Sequence, residues 1–248
     1  MSSVLIQAEQ LVIGYGTTPI LEPLDFSIRR GTVHCILGGS GSGKSTLLRT
    51  LIGLQPPLGG ELKLDLAPIP GLDPAAPRFG VLFQSGALFG SMTLAQNLAL
   101  PLRQWTQMGE SAIEAVVYAK LRLVGLERFE NHRPSEISGG MKKRAGIARA
   151  LALDPPLLFL DEPSAGLDPV ATAELDRLMV TLRDELGMTL VVVTHELESV
   201  LRASDEVMVI DPTAKRIAGI GPPRILKAHS TDPYVRQFLD SFFTEFDA

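Results

Sequence analysis

Between the apolar run Val33-His34-Cys35-Ile36-Leu37 and a helical pattern from about Lys44 to Leu54 stands Gly38-Gly39-Ser40-Gly41-Ser42-Gly43-Lys44-Ser45-Thr46. This matches G-x-x-x-x-G-K-[ST] in the context that the motif requires, a buried strand running into a helix. Glycines let backbone N–H groups converge on phosphate oxygens, and the helix N-terminus adds positive potential. Lys44 is expected to reach the β- and γ-phosphates of a nucleoside triphosphate, and Ser45 to ligate Mg²⁺. A chain built around such a loop is constrained to an α/β fold.

A second run, Leu157-Leu158-Phe159-Leu160, ends in Asp161-Glu162. A carboxylate at the end of a buried strand beside a phosphate loop suits a second Mg²⁺ contact, which assigns Asp161 to the metal. Glu162, one residue on, can polarise an attacking water as general base. A third motif, Ile137-Ser138-Gly139-Gly140-Met141, opens a helix with Lys142, Lys143 and Arg144 in its first turn. One hydroxyl and two glycine amides at a helix N-terminus form a second anion cradle. Two cradles and one Mg²⁺ site in a chain are explained by head-to-tail pairing with a second copy, each cradle closing over the γ-phosphate held by its partner.

The rest of the chain fits that frame. The 248 residues suffice for one large domain or two small ones. The start alternates as a half-buried strand through Val4, Ile6, Leu11 and Ile13, and Leu24 to Ile28 alternates again. Residues 55–77 read as surface hairpin and loop with a short strand over 61–66, followed by a strand over 79–83. Ser111-Ala112-Ile113-Glu114 has capping-box spacing and predicts a helix running to Val124 and stopping at Gly125. A second helix is predicted from Met141 to Leu153. Asp168-Pro169 fits the cap and first residue of a helix that buries Leu175, Leu178, Met179, Leu182 and Leu186. Leu190–Val193 and Val207–Ile210 read as further buried strands. Short apolar strands alternating with helices predict an α/β fold with a mostly parallel sheet. The expected organisation is a core over 1–84 and 154–221, an inserted helical block over 85–153, and a tail over 222–248.

Composition excludes several classes. The net charge of −5 and the absence of a long basic run give no nucleic-acid-binding face. The single cysteine, Cys35, cannot form an internal disulfide and reads as a buried core residue of a cytosolic chain. The start lacks the basic and apolar regions of a signal peptide, and no window approaches the roughly 18 consecutive apolar residues of a membrane span. Membrane work would need another chain as anchor. His34, His132 and His229 have no metal-like spacing and read as structural or surface, while Trp105 and Tyr118 read as packing.

The ordered motifs resemble the nucleotide-binding domains of the ABC (ATP-binding cassette) family over essentially the whole length. Ser138-Gly139-Gly140 is similar to the family signature L-S-G-G-Q, with Ile137 and Met141 at its two ends. The resemblance implies a RecA-like core with an N-terminal antiparallel β region, ATP as nucleotide and Mg²⁺ as cofactor. It implies that Tyr15 stacks on adenine and that Gln84 senses Mg²⁺ and the attacking water and links to the membrane subunit. Ser164-Ala165-Gly166-Leu167-Asp168 resembles the D-loop, and His195 the switch histidine that contacts the γ-phosphate.

Finer features, namely Ser85-Gly86-Ala87-Leu88-Phe89 after Gln84, Met141, and Asp232 to Asp240 near the end, resemble ATPases of the Mla type. Those power MCE-protein phospholipid transporters of the bacterial envelope. The resemblance implies a transmembrane permease partner, an MCE lipid-binding protein and a STAS-domain protein, at the cytoplasmic face of the inner membrane. An ATPase for another substrate is the alternative. A soluble cassette protein of DNA repair or translation fits less well, because such chains carry two cassettes or a long coiled coil. A subunit that binds nucleotide without hydrolysing it conflicts with Glu162 and His195. The short stretch after Gly221 leaves no room for an appended regulatory domain. In it, Asp232-Pro233 predicts a helix whose Val235, Phe238, Leu239, Phe242, Phe243 and Phe246 share a face, docked either on its own domain or on a partner.

Overall fold

The computed structural model describes residues 3–243. In chain order the strands and helices begin with β1 (Val4–Val12), β2 (Gly14–Tyr15), β3 (Thr18–Pro19), β4 (Leu24–Arg29), β5 (Val33–Gly38), α1 (Lys44–Leu51) and β6 (Gly59–Leu64). Then come β7 (Gly80–Leu82), α2 (Leu94–Trp105), α3 (Glu110–Leu123), α4 (Gly139–Ala150), β8 (Leu157–Asp161) and α5 (Pro169–Leu186). The chain finishes with β9 (Thr189–Val193), α6 (Leu197–Ala203), β10 (Glu206–Asp211), β11 (Arg216–Gly221), α7 (Pro223–His229) and α8 (Pro233–Phe243). Two compact units result: Met1–Asp65 with Met179–Ala248, and Leu66–Leu178.

In the first unit, β5 is buried along its whole length because it lies between two parallel neighbours, β9 and β10. That placement explains the unbroken apolar run: a strand covered on both faces has no solvent side to alternate toward. Cys35 is a free thiol in this core. β11 adds antiparallel to β10. A separate antiparallel sheet in the order β4-β1-β6 supplies the N-terminal β region. β4 alternates strictly, as expected. β1 does not: Leu5 and Ile6 are both buried while Val4 is half-buried, because register shifts interrupt its pairing near both ends. His34 is a structural residue after all, fully buried with Nδ1 3.6 Å from Glu206.

In the second unit, β7 and β8 pair in parallel. α3 starts one residue before the predicted box, capped by Gly109 with no side-chain bond, so Ser111-Ala112-Ile113-Glu114 is not a capping box. Burial of Ile113, Val117 and Leu121 fixes the helix instead. Its end is as expected: Gly125 takes φ +70°, and Leu126 N–H bonds back to Leu121 O. The capping box that does form opens α2, where Thr93 and Gln96 exchange side-chain and backbone bonds. α4 begins two residues before the predicted Met141 and ends three before Leu153. Tyr118 is 49% exposed, which corrects its reading as a packing residue.

α5 opens as its cap predicts, with Asp168 Oδ1 accepting from the amides of Val170 and Ala171 at 2.9 Å. Leu175, Leu178, Met179 and Leu182 are buried, but Leu186 is 51% exposed at the last helical residue, where Gly187 takes φ +62° and ends the helix.

The tail helix α8 is tied to its own unit in its first turns. Asp232 Oδ1 accepts from the amides of Tyr234 and Val235, Asp232 pairs with Arg216 of β11 at 2.5 Å, and Val235 and Leu239 are fully buried. The side chains of Phe242 and Phe243 and the whole of Phe246 lie outside the described residues. Arg216, before the two amides, holds the Asp232 carboxyl below the usual carboxylate range. A depressed folded pKa contributes stability that is complete above the unfolded value of about 3.9 and is lost as pH falls through the lower folded value. Asp232→Ala is therefore expected to cost about 1–2 kcal/mol at neutral pH, from the cap and the ion pair together. Denaturant titrations of the two chains will measure the difference, which is expected to shrink as the medium is made strongly acid.

Candidate nucleotide-binding site

The first cluster of predicted residues belongs to the first unit. β5 delivers the chain to Gly38, where a Cβ would lie 2.5 Å from Ser42 Oγ and 2.9 Å from Ile210 O, so only glycine allows the turn. Gly41 and Gly43 take φ +75° and +96°, a region that L side chains rarely adopt. Gly43 is the N-cap of α1, so the amides of Lys44, Ser45 and Thr46 open the helix and precede any intrahelical acceptor. Lys44 is buried, its Nζ donating to Gly38 O at 2.8 Å and Gly39 O at 3.0 Å. The ammonium thus lies folded across the loop that would hold a phosphate.

A cavity of about 250 Å³ is lined by Tyr15, Ile20 and the segment from Gly41 to Thr46. It is smaller than the roughly 300–1,000 Å³ that typically encloses a whole ligand. Tyr15, one of its lining residues, is 54% exposed. The Tyr15 hydroxyl is 3.0 Å from Thr46 Oγ1 and accepts from Arg49 at 3.3 Å. The Thr46 bond, with Arg49 adding to it, holds the phenol below its usual range. This bracing of the ring by the loop's own helix was not visible in the linear motif. Neither was Tyr234, whose hydroxyl bonds the backbone of Gly39 and whose pKa is raised by burial. Its only sequence signal is its place just after the Asp232-Pro233 cap.

His195 leaves the carboxyl end of β9 at the same end of the sheet as the loop, since β5 and β9 are parallel and the Thr194 amide bonds Ile36 O at 3.2 Å. The crevice at the carboxyl ends of parallel strands is where α/β folds bind ligands. His195 is exposed there.

The second cluster belongs to the second unit. The register of β7 on β8 sets Leu82 opposite Leu160, so Gln84 and the pair Asp161-Glu162 leave at the same end. Gln84 is exposed, while Asp161 and Glu162 are half-buried. Glu162 takes φ +46°, a left-handed conformation that costs a non-glycine residue about 1–2 kcal/mol and that marks functional turns. The carbonyls of Gln84 and Glu162 both accept from Lys143 Nζ. Beyond Gln84, the fully buried Asn97 holds the following segment, accepting from the Phe89 amide and donating to Phe89 O and Thr93 O.

Ser138 is the N-cap of α4, its Oγ accepting from the Met141 amide at 3.3 Å. A hydroxyl that accepts one bond keeps its own proton to donate. A Cβ on Gly140 would lie a tight 3.0 Å from Ala171 Cβ, whereas one on Gly139 would lie 3.5 Å from Leu167, an ordinary contact. Two of the basic residues after the cradle, Lys143 and Arg144, are engaged within the unit. Arg144 donates to Val124 O and pairs with Glu174, and Lys143 is buried.

By chemistry, Ser45 in the first unit offers a hydroxyl and Asp161 in the second a carboxylate, each a hard oxygen of the kind that Mg²⁺ takes. Among the described residues no group of three or more His, Cys, Asp or Glu forms a metal cage. Mg²⁺ uses one or two protein oxygens and fills the rest from phosphates and water.

Comparison with known proteins gives a consistent result. The family profile described as ABC transporter matches residues 21–165. The "Probable ribonucleotide transport ATP-binding protein mkl" of Mycobacterium leprae is 43% identical over 96% of this chain and 69% of its own length. The "Intermembrane phospholipid transport system ATP-binding protein MlaF" of Escherichia coli K12 is 39% identical over 95% of this chain and 88% of its own length. The structure of cbiO1 from Clostridium perfringens, part of the ABC transporter complex cbiONQ, superposes with a TM-score of 0.82 at 29% identity, over 99% of this chain and 97% of that one. A dimeric post-hydrolysis state of the ATP-binding cassette MJ0796 with ADP and Pi gives a TM-score of 0.76 at 28% identity, over 88% and 98%. With an α/β fold, a phosphate loop and this likeness, the chain belongs to the ABC transporter family, as one of its ATP-binding and ATP-hydrolysing subunits.

Proposed function

We propose that the chain is the motor subunit of a bacterial lipid transporter, working as a head-to-tail pair of copies on the cytoplasmic face of the inner membrane. The observation that carries the cargo class is the match to the phospholipid-transport ATPases, which spans 88% of their length. The mycobacterial relatives are named for ribonucleotide transport, and the chain spans 67–69% of their length. That keeps ribonucleotide transport as the second reading. The dimeric form of the cassette MJ0796 supports the pairing. Among the described residues no helix is long and apolar enough to cross a membrane, so a transmembrane permease is the anchor in this reading. An MCE lipid-binding protein and a STAS-domain protein complete the assembly, and residues 85–153 are its signature subdomain.

In this reading Tyr15 stacks on adenine, and Gly38 to Gly43 with the first amides of α1 cradle the phosphates. Lys44 exchanges its loop carbonyls for the β- and γ-phosphate oxygens as ATP enters. Ser45, Asp161 and Gln84 would hold Mg²⁺, which when bound would supply positive charge to offset that of the triphosphate. Glu162 takes a proton from the attacking water while Gln84 and His195 align water and γ-phosphate. Ser138, Gly139 and Gly140 of the second copy close the site. Hydrolysis removes the γ-phosphate and opens the pair, and the Gln84 segment passes that motion to the permease.

Deleting the gene and measuring two fluxes separates the cargo readings. The expected result is an altered phospholipid distribution between the inner and outer layers of the envelope, with uptake of radiolabelled ribonucleotides unchanged. Lost ribonucleotide uptake with normal lipid distribution would overturn the lipid reading.

A further inference from the structure

Lys143 has no place in the phosphate-binding machinery, yet it is among the most buried charges in the second unit, at 7% exposure. A buried ammonium costs several kcal/mol unless it is well satisfied. Its Nζ donates to Gln84 O at 2.5 Å and to Glu162 O at 3.1 Å. Both carbonyls belong to residues of the hydrolytic centre, and Glu162 stands at the strained φ of +46°. A fixed cation on that carbonyl stabilises the turn that aims the Glu162 carboxylate. Lys143 also lies on α4, the helix capped by Ser138. At 1.5 Å per residue the two are about 7.5 Å apart along a rigid helix.

We propose that Lys143 is a positioning residue that couples the two ATP sites of the pair. In each chain α4 meets the partner's γ-phosphate at Ser138, while Lys143, little more than a turn later, grips the backbone of that chain's own Gln84 and Glu162. Seating of the partner's nucleotide on the cradle is thereby carried to the base and the water-aligning glutamine of the other site. The inference rests on the roles proposed above for Ser138, Gln84 and Glu162.

The test is steady-state ATP hydrolysis by the full chain, with ATP affinity and thermal stability measured in parallel. Lys143→Met removes the charge at similar length. The expected result is ATP affinity within about twofold of wild type, kcat lower by about 10- to 100-fold, and a Hill coefficient for ATP brought toward one. Lys143→Arg is expected to restore part of both kcat and cooperativity. Lys143→Gln, which keeps an amide donor, is the milder variant should Lys143→Met not fold, and is expected to lose cooperativity with a smaller drop in kcat. A lowered melting temperature with the Hill coefficient unchanged in whichever variant folds would reduce Lys143 to a structural staple and overturn the coupling. Glu162→Gln is the control. If it hydrolyses normally, the assignment of the base is wrong and the coupling falls with it. If it is inactive while Lys143→Met or Lys143→Gln keeps normal kcat and cooperativity, the coupling alone is wrong.

Discussion

Glu162→Gln will bind ATP as tightly as the parent chain and hydrolyse it at least about a hundredfold more slowly, the range expected for loss of a general base. The exchange removes the proton acceptor and keeps the shape of the side chain. It leaves the left-handed turn at φ +46° in place, because that turn is held through the backbone carbonyl. Binding without turnover has a physical consequence for a composite site. ATP closes the pair and nothing reopens it, so the variant is expected to elute as a stable dimer in ATP and as a monomer in ADP. Size-exclusion chromatography with light scattering, beside a phosphate-release assay, measures both. Normal phosphate release from Glu162→Gln would remove Glu162 from the mechanism.

The parts of this molecule that could be read in advance are those whose chemistry lies within a few consecutive residues. The loop from Gly38 to Thr46 announces itself because backbone curvature needs glycine and phosphate needs lysine. β5 and β9 were legible because strands buried on both faces are continuously apolar. The caps at Asp168 and Asp232 were legible because the carboxylate bonds amides two and three residues ahead. What failed or was missed depends on distant partners. The start of α3 is decided by burial of Ile113, Val117 and Leu121 rather than by Ser111. β1 breaks its alternation because two different strands pair with it in shifted register. β11 is half-buried nearly throughout, so it carries no clear period and went unassigned. Lys143 did leave a trace: it precedes the buried Ile147 by one helical repeat, and a lysine in line with an apolar face asks for a partner. Which carbonyls it meets, on segments far away in sequence, no local pattern could say.

Lys44→Ala is expected to have the largest effect of any single exchange in the first unit. The ammonium already donates into the loop, to Gly38 O and Gly39 O. Removing one such preorganised group costs roughly 10²–10³ in kcat, and loss of its charge-assisted bonds to phosphate costs about 1.5–3 kcal/mol in ATP affinity. Both losses are expected together, measured by nucleotide titration and phosphate release. An alanine variant that binds and hydrolyses ATP normally would show that the loop does not hold the triphosphate.

The central claim is that each ATP is held by Lys44 of one copy and by Ser138-Gly139-Gly140 of the other, and mixing two inactive chains tests it most directly. Gly139→Asp is the second chain. Its Cβ has room beside Leu167, so the fold is kept, and its carboxylate repels phosphate from the cradle. Each variant alone is expected to be inactive. In a mixed pair of Lys44→Ala with Gly139→Asp, composite sites put both defects in one site and leave the other intact. Equal amounts, randomly paired, then recover about a quarter of the wild-type single-turnover hydrolysis. No recovery on mixing two folded variants that exchange subunits would show that each copy closes its own site, and would contradict the account.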